Sequence, residues 1–308
     1  MQHPIIVPLD GSRLAEQALP YAESLARTIG TPLVLVEAAA VAPRTREGTE
    51  HARLRAFDEA LAHLEAVAGD LTARGAPTEV VVELAAPSEV IEETARARRA
   101  QLIVMSTHGW SGGSPWVLGG VADHVLRRSR VPVLFLSPLA LTRGDASRLH
   151  GPVIVPTDGS ALSTSIFPIV QRLVQGLDVP VTLLQVIDPV GYYTGSAMLP
   201  YGATLSQTLV DDAVVATRAS LEAEAVLWRE LGIATTAVVR SGSPSEVIAV
   251  VATEVQAGWI AMASHGRGGI GGFVLGSTAL RLLRHVPIPV LIACGRLAEP
   301  KDARTNER

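Results

Sequence analysis

Two short motifs each occur twice in the chain, and they hold the side chains best suited to chemistry. The first is Pro-x-Asp-Gly-Ser, as Pro8-Leu9-Asp10-Gly11-Ser12 and again as Pro156-Thr157-Asp158-Gly159-Ser160. The second is a Gly-rich loop. It reads Ser106-Thr107-His108-Gly109, nine residues, then Gly119-Gly120; it returns as Ala263-Ser264-His265-Gly266, nine residues, then Gly276-Ser277-Thr278. Glycines let main-chain N–H groups approach an anion closely, and the unpaired amides of a helix start favour negative charge. In the second copy Gly276, Ser277 and Thr278 offer backbone donors and two hydroxyls, and Arg267 adds a cation. That is chemistry for phosphate. The Asp158 carboxylate is badly placed for phosphate and better suited to a ribose hydroxyl or a base amine. Sugar or base at one end and phosphates at the other describe a nucleotide.

Each motif also has a plainer reading. A Gly-rich loop can be a tight connection after a strand, and duplication copies structural loops as faithfully as functional ones. Asp10 and Asp158 suit the start of a helix as capping residues. His108 and His265 resemble a catalytic or metal pair, but no carboxylate or second His stands at ligand spacing. They are read as structural or backbone-contacting residues, with no metal.

The elements that must position these motifs follow from the repeat. "IIVPLDGS" (5–12) returns as "VIVPTDGS" (153–160), 148 positions on; "APSEVI" (86–91) returns as "SPSEVI" (243–248), 157 positions on. The His-Gly loops and "VPVL" (131–134) with "IPVL" (288–291) share the second offset. Five short, continuous apolar runs occur in each copy. They lie near 3–9, 32–38, 78–84, 101–105 and 131–137, then 152–157, 180–187, 234–240, 258–263 and 288–293. Val/Ile/Leu runs without alternation predict strands buried on both faces, hence a parallel sheet. Helical spacing fills the gaps, as in "LAEQALPYAESLARTIG" (14–30), which ends on Gly, and "SEVIEETARARR" (88–99), with Ser88 expected as N-cap. The expected fold is α/β: two tandem doubly wound, Rossmann-like domains, each a five-stranded parallel sheet of order 3-2-1-4-5. The domains are expected at 1–138 and 152–296, with a linker over 139–151 and a polar tail over 297–308. In that order strands one and four are neighbours at the switch point, so carboxylate and Gly-rich loop face one crevice.

Composition sets the class. The 308 residues are 48% hydrophobic and 18% charged, with a net charge of −4, which gives no electrostatic footprint for nucleic acid or an anionic membrane. One cysteine, Cys294, permits no internal disulfide. No signal-like start or membrane-length apolar run is present, so a cytoplasmic protein is expected.

The repeated unit resembles the universal stress protein domain, and the chain is similar to a tandem member of its ATP-binding branch. That branch carries Gly-x-x-Gly, nine residues, then Gly and Ser or Thr. The second copy departs only at Ala263; the first departs at Ser106 and at Gly120, which lacks the hydroxyl. The resemblance implies an ATP site, with or without Mg. In the second copy Pro156, Thr157, Asp158 and Val186 would hold the adenosine end, and Ala263, His265, Gly266, Arg267, Gly276, Ser277 and Thr278 would line the phosphate loop. In the first copy the matching positions are Pro8, Leu9, Asp10 and Ala38, then Ser106, His108, Gly109, Gly119 and Gly120, with bulky Trp110 and Trp116 inside the loop. The family's domains commonly pair through their last strands, so the resemblance implies an intrachain pseudo-dimer, with or without a homodimer through those edges.

The implied function is regulatory, with ATP occupancy controlling conformation or partners in a stress response. The alternatives are a slow ATP-hydrolysing enzyme and a scaffold that has lost one site. No G-x-x-x-x-G-K-[ST] loop occurs and neither Gly-rich loop holds a lysine, so fast hydrolysis is not expected. The extra residues of the second copy, "DPVGYYTGSAMLPYGA" (188–203), leave strand two beside the adenosine position. They serve either as a lid or as a cover for apolar surface or a partner.

Overall fold

A computed structural model describes residues 3–39, 49–109, 118–143, 145–188, 207–264 and 276–293. The first half runs β1 (Ile5–Leu9), α1 (Arg13–Glu16), α2 (Leu19–Ile29), β2 (Leu33–Ala38), α3 (Thr49–Ala73), β3 (Thr78–Glu83), α4 (Pro87–Ala97), β4 (Leu102–Ser106), α5 (Gly120–Arg128) and β5 (Val133–Leu136). The second half runs β6 (Val153–Pro156), a 3₁₀ turn (Ser163–Ile166), α7 (Phe167–Leu177), β7 (Val181–Ile187), α8 (Gln207–Glu230), β8 (Thr235–Ser241), α9 (Pro244–Glu254), β9 (Trp259–Ala263), α10 (Ser277–His285) and β10 (Val290–Ala293). All ten expected strands form.

The order is β3-β2-β1-β4-β5-β10-β9-β6-β7-β8, so each half is a 3-2-1-4-5 sheet. Pairing within each half is parallel. The halves join where β5 and β10 run antiparallel, in the register Phe135↔Val290, Leu134↔Leu291, Val133↔Ile292. The expected pairing of last strands is therefore met within one chain. Both of these edges are consumed by each other, and the outer edges of the sheet are β3 and β8.

Alternate strand residues feed two cores. Ile5, Val7, Leu9, Val153 and Val155 face one side with Leu64, Leu71 and Trp228 of the long helices. Ile6, Ile103, Ile154 and Ile260 face the other with α4, α5, α9 and α10. Each core runs without a break across both halves, as continuous apolar strands require. On α3, Ala60, Leu64, Ala68 and Leu71 recur at helical spacing and are buried. On α8 the matching stripe ends on Trp228, whose ring meets Phe167 edge-on at 5.1 Å. No described helix is long and apolar enough to cross a membrane.

Three local expectations are corrected. The stretch 14–30 is two helices, because Pro20 lacks an amide and its ring excludes the carbonyl one turn back; it sits in the first turn of α2 instead. Gly30 then ends α2 in the left-handed region at φ 63°. Ser88 is inside α4; Ala86 is the N-cap and Pro87 opens the helix, making no side-chain cap. The stretch 139–151, which carries no sequence pattern, holds α6 (Pro138–Arg143) and a 3₁₀ turn (Ala146–His150). Ser137 caps α6 by accepting from the Ala140 amide, and Asp145 caps the turn through the Ser147 amide. Buried Leu141 and Leu149 fasten it to the core.

One polar tie is confined to the first half. His63 of α3 bonds Glu37 of β2 through Nδ1 at 3.1 Å and Glu16 of α1 through Nε2 at 3.0 Å. Burial opposes the charged ring, but the bonds to Glu37 and Glu16 and their charges outweigh it and raise the His63 pKa. A raised folded-state pKa gives stability that is fully present below the unfolded value and lost as pH rises through the folded one.

Wild type is therefore expected to exceed His63→Gln in urea stability by more at about pH 5 than at about pH 9. A constant difference across that range would contradict the tie. Just before β9, Gly258 is in close backbone contact with the segment leading into β6: a Cβ there would lie 1.9 Å from the Arg148 carbonyl oxygen and 3.0 Å from Gly151 Cα. Gly258→Ala should cost about 1–3 kcal/mol in urea unfolding. An unchanged midpoint would contradict it.

Candidate functional site

The site begins where two parallel neighbours stop pairing. β1 pairs with β4 only at Ile5↔Leu102 and Ile6↔Ile103, though both strands continue. β6 and β9 do the same, pairing at Val153↔Trp259 and Ile154↔Ile260 alone. The sequence explains the parting. Along a strand, successive residues turn their backbone groups to opposite neighbours. The Pro4 carbonyl accepts from Gln101 on the β4 side, while the Ile5 amide donates to Pro32 on the β2 side. Pro8 thus faces β4 and has no N–H to offer it. In the second half the Pro152 carbonyl accepts from Gly258 and the Val153 amide donates to Pro180, so Pro156 faces β9 and likewise ends the ladder. A crevice opens at the carboxyl ends, where both repeated motifs lie.

The Asp-Gly-Ser turn occupies one wall. Asp10 Oδ1 accepts from the Ser12 amide at 3.0 Å and Asp158 Oδ1 from the Ser160 amide at 2.9 Å. Gly11 at φ 72° and Gly159 at φ 75° make the left-handed step that closes each turn. Helix capping in the first half falls to Ser12, whose hydroxyl accepts from Ala15 at 3.2 Å. Each aspartate shapes its own turn, which leaves a ligand role and a local role compatible.

Gly109, at the described start of the first Gly-rich loop, faces this turn. A Cβ on Gly109 would lie 2.0 Å from Asp10 Oδ2, so the carboxylate rests on the bare Cα across the crevice. Gly119 is as constrained: a Cβ would lie 2.8 Å from the Thr107 carbonyl oxygen, which accepts from the Gly119 amide at 2.9 Å. In the second half the Gly276 amide donates to Ser264 at 2.9 Å. The next three amides begin α5 (Gly120, Val121, Ala122) and α10 (Ser277, Thr278, Ala279). None of them has a hydrogen-bond acceptor among the described residues. Each such helix start is an anion-favouring set of donors.

The other expected residues fall as follows. Ala38 and Val186 are half-buried at the carboxyl ends of β2 and β7, and Ala263 ends β9. Leu9 is buried at the end of β1. Thr157 is buried too, and its hydroxyl is turned to Ser163 and the Gly159 amide. Ser106 donates to the His108 carbonyl at 2.5 Å, and His108, itself buried, pairs through Nδ1 with the Thr107 hydroxyl at 2.9 Å. His265, Gly266 and Arg267 lie outside the described residues, as do Trp110, Trp116, Cys294, the tail and all of 188–203 but Asp188. Among the described residues no group of three or more His, Cys, Asp or Glu could hold a metal ion. Sequence reading missed Ser163, whose signal was the spacing Asp-Gly-Ser-x-x-Ser in the second copy against Asp-Gly-Ser-x-x-Ala in the first.

Comparison with known proteins places this geometry. The model of the universal stress protein family matches residues 1–137 and again 150–293. A universal stress protein from Archaeoglobus fulgidus DSM 4304 superposes with a TM-score of 0.69 at 21% identity, covering 94% of this chain and 96% of that one. A putative universal stress protein from Pseudomonas aeruginosa UCBPP-PA14 gives 0.66 at 16% identity, with 94% and 92% covered. A universal stress protein from Archaeoglobus fulgidus solved in complex with dAMP matches 43% of this chain over 96% of its own, at 24% identity and a TM-score of 0.34. No match is found among curated protein sequences. With both halves matched, and ten strands in two 3-2-1-4-5 sheets, the chain belongs to the universal stress protein family as a tandem member.

Proposed function

We propose that the chain is a regulatory adenine-nucleotide-binding protein with one site in each of two units, 1–138 and 152–296, and that ATP occupancy alters its shape or partners. The observations that support this reading are, in both halves, a turn-held aspartate after the first strand and, after the fourth, three helix-start amides with no hydrogen-bond acceptor among the described residues. The amides of Ser277, Thr278 and Ala279, with the hydroxyls of the first two, suit phosphate oxygens. Asp158, at the far wall, suits ribose or base. Gly266 and Arg267 are assigned to the phosphates on the sequence pattern alone. Mg, where it accompanies ATP, is assigned to the phosphate oxygens.

Transfer chemistry asks for more than this. It needs a group that positions water and cations that neutralise the transferred phosphoryl group. The sequence offers neither a P-loop nor a lysine in these loops. Binding without fast turnover is the function that the donor set supports.

Protein purified and then denatured should release adenine nucleotide detectable by mass, without ADP building up in the presence of excess ATP. Catalytic accumulation of ADP would overturn the regulatory reading. Gly276→Val puts a branched side chain at the α10 start and should weaken ATP binding in the second half by about tenfold or more, measured by calorimetry. Unchanged affinity at both sites would refute the assigned phosphate position.

A further inference from the structure

The second half carries a buried hydroxyl network that the first half cannot form. Thr157 and Ser163 are 8% and 5% exposed, and their hydroxyl oxygens are 2.9 Å apart. Ser163 donates its proton to the Ser160 carbonyl at 3.0 Å, so the proton between the two hydroxyls comes from Thr157. Thr157 Oγ1 then accepts from the Gly159 amide at 3.0 Å, and Ser163 Oγ accepts from the Asp158 amide at 3.3 Å. The Ser160 hydroxyl accepts from the Ser163 amide at 3.1 Å. Both peptide groups flanking the Asp158 Cα are thus held by buried hydroxyls, and its carboxylate is held by the Ser160 amide. In the first half, 148 positions back, Leu9 and Ala15 stand in place of Thr157 and Ser163, and neither carries a hydroxyl.

We propose that Thr157 and Ser163 are positioning residues that pre-set Asp158 for the ligand and make the second half the tighter of the two sites; this rests on the nucleotide reading above. The physical reason is preorganisation. A carboxylate whose backbone is already fixed loses less freedom when it engages a ribose hydroxyl or base amine. Asp10 is held at its carboxylate by the Ser12 amide, but Leu9 and Ala15 have no hydroxyls with which to frame its backbone. Thr157 contributes through the turn, since its hydroxyl proton goes to Ser163 and its oxygen accepts from the Gly159 amide.

The test is a double-mutant cycle on the full chain, with ATP titrated by calorimetry. Thr157→Val should weaken the tighter site by about fivefold, the scale of one net hydrogen bond. Thr157→Ser, which keeps the hydroxyl, should restore it, and Ser163→Ala should behave like Thr157→Val. In an Asp158→Ala background Thr157→Val should change the affinity no further, because its effect passes through Asp158. Equal losses in both backgrounds, or a lower melting temperature with unchanged affinity, would overturn the positioning role. Wild type that binds no ATP would instead overturn the nucleotide reading, and this inference with it.

Discussion

The constraint on which the rest depends is a missing hydrogen bond. Pro8 and Pro156 each present no N–H to the strand beside them, so β1 parts from β4 and β6 from β9 before their ends. Had the ladders continued, the carboxyl ends would be closed by main-chain bonds and the two motifs would have no space between them. The parting falls at the switch point of a doubly wound sheet, where helices leave for opposite faces. Past this parting lie the Asp-Gly-Ser turns and, in the first half, Gly109 against Asp10. Glycine at 109 and 119 lets the walls approach, since any Cβ there would meet a carboxylate or a carbonyl oxygen.

The two halves support one another. The antiparallel seam of β5 and β10 turns two five-stranded sheets into one, and both cores run through it. Lone domains would leave these apolar strands as open edges, which invite pairing with another chain. Here the edge is satisfied internally, and the segment between halves folds back with Leu149 buried.

Much of this was legible from residues alone. Short continuous apolar runs such as 102–105, Leu-Ile-Val-Met, point to strands covered on both faces, and their alternation with helical spacing leaves few topologies. The repeat then doubled the signal, since Asp10 and Asp158 each stand five positions after the first residue of their strands. What was not legible depends on side-chain direction. Nothing in "SEVIEE" says that Pro87 and not Ser88 opens the helix. His63 gave no hint of meeting Glu16 and Glu37, because three elements must converge before the tie exists. The Thr157 hydroxyl turns inward to Ser163, which spacing alone could not fix. The linker's structure was hidden because its buried anchors, Leu141 and Leu149, form no repeating pattern in the sequence.

The central claim is the proposal that the amides at the starts of α5 and α10, which have no acceptor among the described residues, receive phosphate. Residue-resolved hydrogen exchange on the full chain, with and without saturating ATP, measures it directly. The account predicts slowed exchange at Ser277, Thr278 and Ala279, while the Gly276 amide, already bonded to Ser264, changes little. Unaltered exchange at all three of those amides while ATP is bound would contradict it.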